Sequence, residues 1–203
     1  PMSRPESCTS CLTPKPVITR LNAFGYLGSD SLRGSDNSTG NFGTLDQRAA
    51  MSFIHRNADA LYADVSKLMI FGESAGAGSV TNHLVHKKSW PLFTRAAMES
   101  GPFADWVAQN LSAAEARFDI LAQNAGCAKD NANVQDKGAV VDCLRKLNTS
   151  AISAAAKRLP SVALCDWSPV IDGVELVAHP AVLAAKGEVN QVPVLLGTNA
   201  DEG

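Results

Sequence analysis

The chain has 203 residues, of which 45% are hydrophobic and 19% charged, and its formal net charge is -2. This length can bury one sizeable core, while the near-neutral charge excludes the large basic field of a nucleic-acid-binding protein. No run approaches the roughly 18 apolar residues of a transmembrane segment. The chain opens with Pro1 and lacks the apolar stretch of a signal peptide, so we expect an internal piece of a longer protein.

The hydrophobic pattern predicts alternating strands and helices. Residues 1–15 show no periodicity, and we leave them unassigned and expect disorder there. Pro16–Thr19 is interpreted as the end of a short strand, and the polar, glycine-rich Gly28–Gly43 as a long loop. The remaining predicted elements, in chain order, are a helix at Leu45–Asn57, a strand at Lys67–Phe71, a helix at Ala75–Val85, a strand at Phe93–Met98, helices at Ala113–Ala125, Val140–Leu147, Ala151–Arg158 and Ala178–Ala185, and a strand at Val192–Leu196. This alternation predicts an α/β protein with a mostly parallel sheet flanked by helices.

The stretch FGESAGAGSV, residues 71–80, has the G-x-S-x-G spacing of a nucleophile elbow. A predicted strand precedes Ser74 and a predicted helix follows it, which is the context that such an elbow requires. We expect Gly72 and Gly76 to be glycine because strand and helix backbones meet there and leave no room for side chains. The backbone N–H of Ala75 is a candidate oxyanion donor. The alternative is a glycine-rich turn with an incidental serine.

The cysteines and asparagines carry two further patterns. Five cysteines are an odd number, so at least one thiol is unpaired within the chain. Cys8 and Cys11 form one C-x-x-C, but a zinc ribbon needs a second such pair, so we predict no metal site. Asparagine glycosylation motifs occur at Asn37, Asn110 and Asn148. Their number is close to chance expectation and is compatible with secretion.

Several segments occur in a fixed order: FGYLG, GNFGTLDQRAA, FGESAGAGSV, PLFTRAAMESG, GCAKD with CLRKL, PVIDG and PVLLGTNADEG. In this order they resemble segments of the type B carboxylesterases, the cholinesterase-like group of α/β-hydrolases. The resemblance runs from about residue 22 to residue 203. It implies that residues 16–203 are the central part of one α/β-hydrolase domain, truncated at both ends.

The resemblance assigns roles to four residues near the elbow. Ser74 matches the nucleophile, Glu202 matches the acid that orients the catalytic histidine, and Ala75 matches the oxyanion donor. Without the resemblance, Glu202 is a solvated loop carboxylate. Glu73 matches the acidic residue before the nucleophile, and it is either a direct participant or a buried, hydrogen-bonded carboxylate. For Trp106 we favour core packing over a part in the acyl pocket.

The resemblance also implies a substrate class, a disulfide and a cellular location. The substrate is a small carboxylic ester, and the chemistry needs no cofactor. Cys127 and Cys143 resemble the pair that closes a surface loop in secreted members of the family. Such a bridge indicates an oxidising compartment, so we expect the protein in the secretory pathway.

The general base of the triad is missing from the sequence. In α/β-hydrolases a histidine follows the acid, whereas all four histidines here precede Glu202. The glycine-rich loop that completes the oxyanion hole in the family is missing as well. We therefore expect a serine ester hydrolase acting through an acyl-enzyme, inactive as these 203 residues alone. The alternatives are a non-catalytic adhesion or binding protein and an inactive truncated relic.

Overall fold

The computed structural model describes residues 16–128, 136–160 and 166–202. Residues 1–15, with Cys8 and Cys11, lie outside the described residues. Seven α-helices occupy the described part: α1 (Asn22–Tyr26), α2 (Phe42–Arg56), α3 (Ala75–Val85), α4 (Leu111–Asn124), α5 (Lys137–Lys146), α6 (Thr149–Ala156) and α7 (Pro180–Ala185). All helices predicted from the sequence are therefore confirmed, and α3 has the predicted bounds.

The strands of the described chain form two parallel sheets. They are β1 (Met69–Glu73), β2 (Arg95–Glu99), β3 (Gln109–Asn110), β4 (Val170–Ile171) and β5 (Val194–Gly197). The larger sheet has the order β1-β2-β5, and β3 pairs with β4. The predicted α/β class with a mostly parallel sheet is confirmed. The carboxyl ends of β1, β2 and β5 meet at one edge, where ligands bind in open α/β sheets.

Helix α3 covers one face of the larger sheet. Ala77, Val80 and Leu84 of α3 form a buried cluster with Ala96 and Met98 of β2. Because alternate residues of a strand point to opposite faces, the next residues along the strands lie on the other face. That face is open in the described chain, and its exposed apolar residues include Met69 (50% exposed), Phe71 (54%) and Leu195 (71%).

A second core lies between α4 and α5. Phe118 of α4 is fully buried and packs with Val140, Val141 and Leu144 of α5. The Cys127–Cys143 disulfide, with a Cα–Cα distance of 5.6 Å, joins the segment after α4 to α5. The disulfide that the family resemblance implied is therefore present.

Each of the three main strands begins two residues later than predicted. The predicted starts were Lys67, Phe93 and Val192, whereas the ladders begin at Met69, Arg95 and Val194. The apolar residues before each ladder, Leu68, Phe93 and Val192, pack against the core of α3 and the sheet. Each apolar run in the sequence therefore begins where the chain becomes buried, which is two residues before the strand ladder begins.

Two other predictions are wrong. Pro16–Thr19 contains no strand, and a short helix, α1, follows it unpredicted. The polar segment Gly28–Gly43 was predicted to be a loop, but it contains a 3-10 turn at Asp30–Leu32 and the start of α2. Part of this segment is buried. Within it, the Asn41 side chain exchanges two hydrogen bonds of 2.9 Å with the backbone of Val170. These bonds also hold the unpredicted strand β4.

Candidate active site

Ser74 occupies a strained turn between β1 and α3. Its backbone has φ 52° and ψ -116°, which for a residue with a side chain costs about 1–3 kcal/mol. Its N–H donates to Glu99 O at 2.9 Å, and its carbonyl accepts from Gly78 N–H at 3.0 Å. The residue is exposed. The turn therefore holds a serine hydroxyl at the carboxyl edge of the parallel sheet, open to a ligand.

The requirement for glycine in this turn rests on Gly72. A Cβ atom added to Gly72 would lie 2.3 Å from the carbonyl carbon of Gly76, a distance that no side chain tolerates. A Cβ added to Gly76 would meet no heavy atom within 4 Å. The expectation that both glycines lack room is therefore wrong for Gly76. The backbone of Gly76 approaches the strand, while its own Cβ direction points into open space.

Ala75 begins helix α3 directly after Ser74. The first N–H groups of a helix have no intrahelical acceptor, and the Ser74 side chain makes no capping bond to them. Ala75 is exposed. The positive end of the helix dipole favours negative charge here. This arrangement can donate hydrogen bonds to an oxyanion that forms beside Ser74.

Glu202 is held by three donors near the end of β5. Its Oε1 atom accepts from the Ser100 hydroxyl at 2.5 Å, the Asn199 N–H at 2.6 Å and the Thr198 hydroxyl at 2.9 Å. The hydrogen bond from Ser100, followed by those from Asn199 and Thr198, lowers the pKa of Glu202. The carboxylate is therefore ionised and fixed in orientation at neutral pH.

Ser100 is a site residue that sequence reasoning missed. It follows β2 as Ser74 follows β1, and it also has a positive φ, 50°. Its N–H donates to Gly197 O at 2.9 Å, so it joins the ends of β2 and β5. The available signal was the Glu-Ser-Gly that follows a predicted strand. Ser100 connects the Glu202 carboxylate to the strand beside the elbow.

Glu73 lines an open cavity of about 430 Å³ at the end of the sheet. It is exposed, so the interpretation as a buried carboxylate is wrong for the described structure. Glu99 faces it across the β1–β2 ladder. Ser100, Thr198 and Asn199 line the same cavity. The space therefore combines two carboxylates with the hydroxyl and amide groups around the Glu202 loop.

None of the four histidines contacts Ser74. His55 bonds Leu92 O at 3.0 Å, and His179 lies 3.3 Å from Asp105 O. His83 and His86 are buried at the far end of α3. Within residues 16–128, 136–160 and 166–202, the structure therefore places Ser74 and the Ala75 N–H after β1 and the Glu202 carboxylate after β5, at the same edge of the sheet, and no histidine contacts Ser74.

Trp106 packs against the elbow helix. A Cβ added to Gly78 or to Gly101 would lie 2.9 Å from atoms of the Trp106 ring. Its carbonyl accepts from the Ser168 hydroxyl at 2.7 Å. These contacts agree with the packing role favoured for Trp106.

The described residues contain neither a metal-binding cluster nor a membrane-spanning helix. No group of three or more His, Cys, Asp or Glu side chains there is arranged to hold a metal ion. Among the same residues, no helix has the length and apolar character to cross a membrane.

Comparison with known proteins gives one consistent result. The sequence profile of the carboxylesterase family matches residues 18–203. The chain is 36% identical over 191 residues to a cholinesterase of Mus musculus, covering 92% of this chain and 31% of that protein. It is also 36% identical over 199 residues to an acetylcholinesterase of Danio rerio, covering 94% of this chain and 30% of that protein.

A solved structure agrees with the sequence relatives. The fold matches the carboxylesterase EST55 of Geobacillus stearothermophilus with a TM-score of 0.74 and 30% identity, over 89% of this chain and 35% of that one. The chain thus spans about a third of the length of these proteins. With its parallel sheet and serine turn, and with a family match over nearly its whole length, the chain belongs to the carboxylesterase family of α/β-hydrolases.

Proposed function

We propose that the protein hydrolyses small carboxylic esters through an acyl-enzyme intermediate on Ser74. The observation that carries this proposal is the backbone of Ser74, with φ 52° and ψ -116° in an exposed strand-to-helix turn. Strain of this kind at a residue other than glycine is typical of functional sites. A glycine-rich turn with an incidental serine needs no such conformation at the serine itself.

The reaction uses three groups: the Ser74 hydroxyl, the Ala75 N–H and a general base. The Oγ atom of Ser74 forms a bond to the ester carbonyl carbon while its proton passes to a base. The carbonyl oxygen becomes an oxyanion, to which the N–H of Ala75 donates. The C–O bond to the alcohol then breaks, and the alcohol leaves with the proton. Water releases the acid from Ser74 by the same steps.

Glu202 is proposed as the acid that orients the base. Its carboxylate is already ionised and held by three donors, which suits a group that stabilises an imidazolium without taking its proton. Ser100 is proposed as the residue that positions Glu202. Glu73, exposed on the wall of the cavity, is proposed to contact the substrate rather than to pack in the core.

The base itself is proposed to be a histidine from sequence beyond these 203 residues. Support comes from the four histidines present, none of which contacts Ser74, and from relatives about three times as long. Residues 16–203 are then the central part of one domain. The 203 residues alone are expected to bind an ester without turning it over.

Ester hydrolysis by the protein made from its native transcript tests this proposal. We expect turnover of a short-chain aryl ester, and we expect Ser74→Ala to lower kcat by about 10³-fold or more. The matched control is Ser35→Ala, which changes an exposed serine in the loop before α2. Full activity of Ser74→Ala would refute the proposal. Absence of turnover in the native protein would favour the binding-protein alternative.

A further inference from the structure

Two of the three glycosylation motifs lie open on the folded surface. In the first, both Asn110 and Ser112 are exposed. In the second, Asn148 and Ser150 are exposed, together with the residue between them. The motif requires the asparagine amide and a hydroxyl two residues later. Both groups that define the motif are therefore on the surface at each position.

The third motif differs. Asn37 is exposed, but Thr39, which supplies the hydroxyl, is only 1% exposed. That hydroxyl donates to Ser29 O at 2.9 Å, within the buried part of the loop. The fold therefore uses the Thr39 hydroxyl in a buried hydrogen bond, so this motif, unlike the other two, does not present its hydroxyl on the surface.

A sugar on Asn110 or Asn148 is compatible with the hydrogen bonds that each residue makes. Both are N-cap residues, and each uses its side-chain oxygen. Asn110 Oδ1 accepts from Ala113 N–H at 2.8 Å, and Asn148 Oδ1 accepts from Ala151 N–H at 2.9 Å. A glycan attaches to Nδ2, and neither Nδ2 donates to any described residue. The modified side chain keeps its carbonyl oxygen, so the cap survives.

The Cys127–Cys143 disulfide indicates a compartment in which the modification takes place. Disulfides form and persist in oxidising compartments, including the lumen of the endoplasmic reticulum. Cys143 lies in α5, and Asn148 follows the end of that helix. In a eukaryotic secretory pathway the lumen in which this disulfide forms is also the compartment that carries out N-linked glycosylation.

We propose that Asn110 and Asn148 each carry an N-linked glycan. The donor is an oligosaccharide attached through its anomeric carbon to a lipid diphosphate. A bond forms between that carbon and Nδ2, and the bond from the carbon to the diphosphate oxygen breaks. The diphosphate leaves with the electron pair, and Nδ2 gives one proton to a base of the transferring enzyme. No oxidant or reductant takes part.

The test is site-resolved mass spectrometry of the purified protein. The protein made from its native transcript is expressed in eukaryotic cells and purified from the cells and from the medium. It is then treated with an amidase that releases N-glycans and converts each modified asparagine to aspartate. We expect conversion at Asn110 and at Asn148. An unmodified asparagine at either position in the purified protein would overturn the proposal.

Matched variants separate the motif from the helix cap. Ser150→Ala removes the motif and keeps the Asn148 cap, whereas Ser150→Thr keeps both. We expect the glycan at Asn148 to be lost in the first variant and retained in the second, with Asn110 modified in both. Asn148→Asp also keeps a capping oxygen but offers no nitrogen. A glycan-sized mass that persists in Ser150→Ala would contradict the assignment to this motif.

Discussion

Two buried histidines make the stability of the protein depend on pH below 7. His83 is 3% exposed and His86 is 2% exposed. Burial lowers the pKa of His83 to about 3 and that of His86 to about 4. The His83 ring bonds Ser89 at 3.0 Å and Gln47 at 2.9 Å. Neither ring nitrogen of His86 has a hydrogen-bond partner among the described residues.

The charges around His86 do not reverse the effect of burial. Glu175 and Asp172 raise its pKa, while Arg48 and Lys88 lower it. The two cations also form ion pairs with Glu175, at 2.7 Å from Arg48 and 2.6 Å from Lys88. Much of the Glu175 charge is therefore compensated before it acts on the imidazole.

The sign and size of the effect follow from linkage. Because the folded pKa of each histidine lies below the unfolded value of about 6.5, the unfolded chain takes up protons first. The stabilisation is complete above pH 6.5 and is lost as pH falls toward 4 and 3. At about 1.4 kcal/mol per pH unit and group, each histidine contributes a loss of about 2 kcal/mol between pH 7 and pH 5. Together they remove about 4 kcal/mol.

Urea unfolding at pH 7, 6 and 5 measures this loss directly. The matched variant is His86→Leu, which removes one titrating ring without leaving a buried polar group unpaired. We expect the wild-type free energy of unfolding to fall by about 4 kcal/mol over this range and that of the variant by about 2 kcal/mol. A wild-type loss below about 1 kcal/mol, or an equal loss in the variant, would refute the reasoning.

Three further predictions test the elbow, the disulfide and the positioning residue. Gly72→Ala should destabilise the protein by about 3 kcal/mol through overpacking, whereas Gly76→Ala, inside α3 with room for a Cβ atom, should leave stability unchanged or raise it by up to about 1 kcal/mol; equal losses in thermal unfolding would contradict the geometry. Reduction of Cys127–Cys143, with a sequence separation of 16, should cost about 3 kcal/mol in urea unfolding, and an unchanged midpoint would count against it. Ser100→Ala should lower kcat of the native protein about tenfold or more with little change in KM, because the carboxylate loses a donor; unaltered kcat would exclude a positioning role.

Much of the fold could be predicted from local pattern. The bounds of α3 follow from the elbow motif, because a strand, a tight turn and a helix leave few alternatives. The late strand starts and the missed helix α1 were not predictable, because both depend on tertiary contacts. The buried Asn41 bonds likewise depend on Val170, which is far away in sequence.

The candidate site was only partly predictable from the sequence. The G-x-S-x-G spacing around Ser74 predicts a specific turn geometry, so the residues alone made Ser74 a candidate nucleophile. Glu202 needed the family resemblance, because a carboxylate in a loop has no distinguishing pattern. Ser100 was missed because its role depends on the register that brings the ends of β2 and β5 together. The prediction for Gly76 was wrong because the G-x-S-x-G spacing shows that the backbones of Gly72 and Gly76 come close together. It does not show which of the two glycines would place a Cβ atom against the other backbone.

Fluorophosphonate labelling tests the central claim most directly, with the adduct located by mass spectrometry. In the protein made from its native transcript, the account predicts one adduct, on Ser74, and none in Ser74→Ala. In the 203-residue chain alone it predicts no adduct, because no histidine of the chain contacts Ser74. An adduct on another serine of the native protein, or an adduct on Ser74 in the 203-residue chain, would contradict the account.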